Sequence, residues 1–148
     1  MEQRAVIPPL QLSLSQLANA ALDADGKPQP PGEWPLSTIL IHLWLVEEVI
    51  WQARLRQMVA EDNPHWQWTE PNLEGAVAQW GQQPLPELAE LFEERRKQTI
   101  DQLKELSEAG WARIGTHAVY GQMDVAGLCA RILEHDEEHL EELKKRAG

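Results

Sequence analysis

Along most of the chain, apolar residues recur at intervals of three and four, and prolines and glycines break that rhythm at a few places. This pattern predicts long amphipathic helices joined by short connections. Leu10, Leu14, Leu17, Ala18 and Ala21 share one face and predict a first helix over residues 10–24. Asp25-Gly26, Pro28 and Pro30-Pro31-Gly32 stop it. A second helix opens after Trp34, with Pro35 in its first turn, where a missing N–H costs nothing. It carries Ile39, His42, Leu43, Val46, Ile50 and Ala53 on to about Val59. Residues 63–71 read as a loop holding Trp66 and Trp68, and a short helix is expected over residues 73–80 before Gly81 and Pro84 interrupt. A third long helix spans about 86–108, with Leu88, Leu91, Phe92, Thr99, Leu103 and Leu106 inward and Gly110 beyond its end. Its run Glu93-Glu94-Arg95-Arg96-Lys97 reads as a solvated face with local ion pairs. Residues 111–122 show no clean period, contain Gly115 and Gly121, and read as a connecting loop. Asp124 is placed to N-cap a last helix reaching Arg146, whose final Lys144, Lys145 and Arg146 suit the helix dipole. The expectation is one all-α domain over residues 1–148, a four-helix bundle with a Trp-containing loop and a short extra helix between helices 2 and 3.

Composition narrows the class. The chain has 148 residues, 43% hydrophobic and 25% charged, as expected of a soluble globular domain. A formal charge of −11 argues against binding nucleic acid or anionic membrane surfaces. The apolar run over residues 36–51 contains His42, Glu47 and Glu48 and reads as too short and polar to span a bilayer. One cysteine, Cys129, allows no internal disulfide; it lies on an apolar stripe and reads as core rather than nucleophile. No secretory signal pattern is apparent at the start, since charges and Pro8-Pro9 come early, so a cytoplasmic location is expected. Seven tryptophans against one tyrosine and one phenylalanine are unusual. Most are expected to be packing residues, with Trp66 and Trp68 as candidate pocket wall.

Three histidines carry the chemistry. The inward stripe of the last helix is Val125, Leu128, Ile132, His135, His139 and Leu143, while Glu134, Asp136, Glu137, Glu138, Glu141 and Glu142 take the other directions. Residues four apart on a helix lie about 40° apart around the axis and about 6 Å along it, so His135 and His139 can converge on one ion. His42 interrupts the apolar stripe of helix 2 in the same way, between Ile39 and Val46. Three imidazoles leave one position of a tetrahedral ion open, the pattern of a catalytic site. The alternative is three core histidines bonded to nearby backbone. His135-Asp136-Glu137-Glu138-His139 also invites comparison with the H-E-x-x-H of zinc peptidases, but Asp136 is one methylene short of the glutamate required as base, and no partner motif follows. Glu47 lies five residues past His42, about 140° around the helix, which suits an interhelical contact or a contact behind the ligands rather than ligation.

The segment Gly32-Glu33-Trp34-Pro35-Leu36, followed by Ile39-Leu40-Ile41-His42-Leu43 and Glu47, resembles the W-S-…-H-L-…-E segment of the DinB/YfiT superfamily. Residues 115–125, leading into His135-Asp136-Glu137-Glu138-His139-Leu140, resemble its last loop and helix. Pro35 stands where serine is usual and Asp124 where threonine is usual, and both still serve a helix start. The resemblance covers the chain from Trp34 onward. It implies a four-helix bundle, a homodimer, and a divalent metal held by His42, His135 and His139, with zinc expected ahead of nickel. It also implies a small-molecule substrate, since the superfamily includes transferases and isomerases that use bacillithiol, mycothiol or related low-molecular-weight thiols. Other members are described only as metal-dependent hydrolases. Thiol-dependent S-transfer is therefore the first expectation and hydrolysis the second. A non-enzymatic, stress-related binding protein is the third, because the superfamily is associated with damage-induced genes. His117 and Tyr120, in the loop entering the last helix, are candidate catalytic residues beside the open metal position; loop packing is their alternative role.

Overall fold

The structure is a computed structural model that describes residues 2–148. A single 3-10 turn leads into α1 (Ile7–Asp23), whose Pro8 and Pro9 occupy the first helical positions and whose Leu10, Leu14, Leu17 and Ala21 are buried. The second long helix runs from Leu36 to Ala60 in three parts: α2 (Leu36–Val46), a π-helical turn (Glu47–Gln52) and α3 (Ala53–Ala60). Then come β1 (His65–Trp66), α4 (Leu73–Trp80), α5 (Leu85–Glu105), the one-turn α6 (Glu108–Trp111), β2 (Ile114–His117), β3 (Gly121–Asp124) and α7 (Val125–Ala147). Asp124 caps α7 as its position predicts, accepting from the Gly127 N–H at 2.8 Å. In the bundle α1 packs against both α5 and α7, and α2 packs against α5 and α4.

Four long helices form the fold, as the periodicity indicates, but two connections differ from the expected loops. Residues 111–122 are not one open loop. They hold the end of α6 and an antiparallel hairpin, β2 with β3, to which β1 adds in parallel. Strands of two to four residues are too short for an alternating pattern to show. The register instead depends on close approach: a Cβ at Gly115 would collide with the Trp66 ring, so only glycine lets β2 lie over that indole. Gly121, at φ +81°, turns the hairpin in the left-handed region. This small sheet ties the loop after α3 to the loop before α7, on the side of the bundle where the histidines lie.

The hydrophobic interior divides into two clusters. One gathers Leu10, Val46, Trp51, Leu55, Met58, Ile100, Leu103, Trp111, Leu128 and Ile132. The other gathers Leu14, Leu17, Ile39, Leu40, Trp44, Leu88, Phe92 and Leu143. Cys129 is buried in the first, as its stripe predicts, and burial raises its thiol to about 12. The Leu36–Ala60 helix is longer than the run over 36–51, and in length and composition it is enough to cross a membrane. Here 72% of its most apolar window is buried in the bundle, so that surface is used by the core.

Between the two clusters lies a polar layer to which each of the four long helices contributes. Arg96 on α5 is 1% exposed. Its Nε and Nη2 donate to Glu47 at 3.0 Å each, and its Nη1 and Nη2 donate to Asp136 at 2.8 Å each. Ser13 on α1 donates to Asp136 at 2.6 Å, and Thr99 donates to Glu47 at 2.6 Å. Two expectations are corrected here. Arg96 does not belong to the solvated charge run, and Asp136 does not face solvent with its acidic neighbours; both are buried. The physical reason is mutual pairing: one guanidinium held in two forks between two carboxylates offsets a desolvation that none of the three could bear alone. Burial opposes the charge on Arg96, but Glu47 and Asp136 outweigh it and hold the guanidinium protonated. Glu47 makes the interhelical contact its angle from His42 suggests.

Candidate metal centre

His42 comes from α2, and His135 and His139 come from successive turns of α7. The structure brings all three together, with one ligand-capable atom from each lying within 4.8 Å of the others. The Nε2 of His135 is 3.1 Å from that of His42 and 3.2 Å from that of His139. Tetrahedral zinc with Zn–N bonds of about 2.0–2.1 Å sets its nitrogens roughly 3.3–3.4 Å apart, close to these separations. The rings meet at 45° to 72° rather than stacking, so edges converge instead of faces.

Electrostatics favour the same reading. Burial, followed by the charges of His139 and His135, lowers His42 to about 3, with Glu70 opposing. Burial, followed by the charges of His139 and Arg96, lowers His135 to about 4. Both rings are therefore neutral at pH 7, with lone pairs available. His139 Nδ1 lies 3.0 Å from a carboxylate oxygen of Glu142, which fixes its proton on Nδ1 and leaves Nε2 to face the cluster. A carboxylate behind a ligating imidazole is the usual support of a metal-binding histidine. Each neutral imidazole can offer an Nε2 lone pair to a divalent cation placed between the rings, with its remaining proton on Nδ1. The donor set fits such an ion.

The cluster opens into a cavity of about 380 Å³. Val46, Ile50 and Trp51 form its apolar wall, Trp68 to Pro71 overhang it from the loop after β1, and His117 and Tyr120 reach it from the hairpin. The small sheet builds this wall, because β1 pairing with β2 brings the Trp68 ring edge-on to His117 at 6.4 Å. His117 is buried and Tyr120 is 45% exposed, so the two mark the inside and the mouth. The Nδ1 of His117 accepts from the backbone N–H groups of Val119 at 3.0 Å and Tyr120 at 3.3 Å. Its proton is thus on Nε2. Burial and the charges of Arg54 and Arg131 hold its pKa below the ordinary value.

Of the two candidate wall tryptophans, Trp68 lines the cavity. Trp66 does not; it is packed in the core beneath Gly115, with its indole N–H donating to Gln57 at 2.6 Å. Sequence reasoning misses Trp51, Arg54 and Arg131, which all line the cavity. Spacing gives no signal for Arg54: it lies twelve residues past His42, about 120° around an α-helical axis, and the π-helical turn between the two residues changes that register.

Comparison with known proteins agrees with this architecture. The sequence matches the DinB superfamily over residues 10–143. Among solved structures, the chain is similar to YfiT from Bacillus subtilis, described as a probable metal-dependent hydrolase with an unusual four-helix bundle topology. The TM-score is 0.73 at 15% identity, covering 97% of this chain and 86% of that one. Identity at this level speaks to the fold. No curated protein sequence matches the chain.

Proposed function

The chain belongs to the DinB superfamily, and from that premise we propose that it is a metal-dependent enzyme that hydrolyses a small molecule. The supporting observation is the convergence of three imidazole Nε2 atoms at the inner end of a cavity of about 380 Å³. His42, His135 and His139 would hold the ion. Zinc is the first choice and nickel the second, since imidazole suits both. When bound, such an ion supplies a Lewis acid and a nucleophile ionised near neutral pH. The protein's own residues bind and orient the substrate. Val46, Ile50 and Trp51 exclude water from one side, the Nε2–H of His117 donates a hydrogen bond into the cavity, and Tyr120 stands at the mouth. We assign His117 to orientation rather than to proton abstraction, because its accepting nitrogen is already occupied by two backbone N–H groups.

Transfer to a low-molecular-weight thiol is the second reading, favoured by the thiol-using members of the superfamily that the sequence resembles. It draws on the same ion, with a thiolate as nucleophile. Elemental analysis of the purified protein tests the common premise. About one zinc or nickel per chain is expected, and none in a variant with His42, His135 and His139 all replaced by alanine. Metal in neither protein, even after incubation with divalent ions, overturns the proposal. With metal established, the loaded protein is offered activated esters and amides alone, and electrophiles together with a thiol. Turnover that needs no thiol supports hydrolysis; turnover that consumes thiol in step with electrophile supports transfer.

A further inference from the structure

Arg54 is a partly buried guanidinium on α3 that faces the same cavity. Its Cζ lies 5.3 Å from the Trp66 ring and 6.0 Å from the Trp51 ring, so aromatic faces hold it in place. Among the described residues it has no ion pair and no side-chain hydrogen bond, although it carries five N–H donors. Arg131, across the same wall, differs: its Nη1 is paired with Glu134 at 2.9 Å while its Cζ lies 4.3 Å from the Tyr120 ring. Between them stands His117, whose remaining Nε2–H has no partner among the described residues. Burial first, and then the charges of Arg54 and Arg131, lower the His117 pKa. Trp51 then links this corner to the histidine cluster, its ring 5.9 Å from that of His135.

We propose that Arg54, assisted by the Nε2–H of His117, forms a carboxylate-binding subsite in the wall of the three-histidine cavity, so that the substrate is a small carboxylate with an apolar or aromatic body. The fork of Arg54 suits a planar two-oxygen anion. A monoanion fits better than a dianionic phosphate, because Glu70, Glu134 and Glu138 also line the cavity. Trp51, Val46 and Ile50 supply the apolar wall for the rest of the molecule. This subsite rests on the reading of the cavity as an active site, but its binding can be measured without turnover.

Tryptophan fluorescence provides the readout, because Trp51 and Trp68 line the cavity. Phenylacetate and its neutral isostere phenylacetamide are titrated into zinc-loaded protein and into protein stripped by a chelator. We expect phenylacetate to bind at least about tenfold tighter than the amide in both forms, the scale of one charge-assisted forked contact. In R54Q the ratio should fall to about one, whereas R54K, which keeps the charge, should retain part of the preference. Equal affinities in the native protein, no saturable response to phenylacetate, or an undiminished preference in R54Q each overturn the subsite. A preference that disappears when zinc is stripped also overturns it, because the carboxylate is then held by the ion; the metal reading survives that result. A protein that binds no zinc yet keeps an Arg54-dependent preference supports the subsite while the metal reading falls.

Discussion

His135 and Asp136 are neighbours in sequence, yet they belong to two polar clusters built on opposite principles. Asp136 turns inward to Arg96, Glu47 and Ser13, where every charged group has an opposite partner at 2.8–3.0 Å. His135 turns toward the cavity, where like groups converge, its Nε2 lying 3.1–3.2 Å from those of His42 and His139. The first cluster is complete within the protein and closed to solvent. The second is complementary to something the chain does not itself supply. Paired opposite charges locate the framework and convergent like donors locate the chemistry, even a single residue apart on the same helix.

The sharpest way to break the comparison is to remove the centre of the closed cluster. Replacing Arg96 with methionine keeps much of the volume but leaves Glu47 and Asp136 buried together without a cation. Removing one partner of a buried charge cluster costs about 3–5 kcal/mol, a large part of the roughly 5–15 kcal/mol that holds an average domain folded. Urea denaturation of R96M should show that loss, or no folded baseline at all. A loss below about 1 kcal/mol would mean that the layer is not closed in solution.

The open cluster should respond to an ion instead. In metal-free protein, exchanging His42, His135 and His139 for alanine should change stability far less than R96M does. Adding zinc at about a hundred times its Kd should stabilise the native chain by about 2.7 kcal/mol. That corresponds to roughly 5–11 °C in Tm for a domain of this size. The triple variant should show no shift, as thermal melts with and without zinc would reveal.

Protonation tests the open cluster from a third direction. His42 and His135 titrate near 3 and 4 in the folded chain but near 6.5 when unfolded. The unfolded state therefore binds more protons between those values. The stability of metal-free protein due to these neutral rings is complete above about pH 6.5 and is lost as pH falls toward 4 and then 3. By pH 5 each ring should account for about 2 kcal/mol of lost stability, about 4 kcal/mol for the two together. Urea titrations at pH 7 and pH 5 should show that difference in the native chain and a smaller one in a variant carrying H42A and H135A.

Much of this contrast can be read from the residues, but not evenly. The histidines are legible because they break apolar stripes: His42 between Ile39 and Val46, and His135 and His139 between Ile132 and Leu143. The closed layer is hidden by its surroundings. Arg96 sits within Glu93-Glu94-Arg95-Arg96-Lys97 and Asp136 within an acidic helix, so composition points to solvent for both. Spacing tells otherwise: Leu88, Phe92, Arg96, Thr99 and Leu103 run at intervals of four, four, three and four, with Arg96 inside the stripe. Charge overrides position in such a reading, and the fault is corrected only by knowing that Glu47 and Asp136 stand opposite. The π-helical turn at Glu47–Gln52 is less legible still, since one extra residue per turn leaves no mark on the sequence while it re-aims Glu47 and Gln52 inward. The hairpin that carries His117 and Tyr120 is fixed by tertiary contact with Trp66, which local pattern does not contain.

The finest test concerns Glu142, which stands outside both clusters and serves only one. Its carboxylate accepts from His139 Nδ1 at 3.0 Å and is 32% exposed, against 14% for the imidazole. Glu142→Gln removes the charge and keeps the shape. Losing a carboxylate behind a ligating histidine weakens metal affinity by about ten- to a hundredfold. Because this carboxylate is partly solvated, the effect should lie near the lower end, a tenfold rise in zinc Kd or about 1.4 kcal/mol. Folding stability without metal should stay within about 0.5 kcal/mol of the native value, as for most surface exchanges. Competition with a chelator of known affinity measures the first quantity and urea denaturation the second. A variant that loses stability but keeps its zinc affinity would place Glu142 with the framework and erase the distinction drawn between the two clusters. A variant that loses zinc affinity alone extends the open cluster by one residue, to a group that acts on the ion only through the proton it fixes on His139.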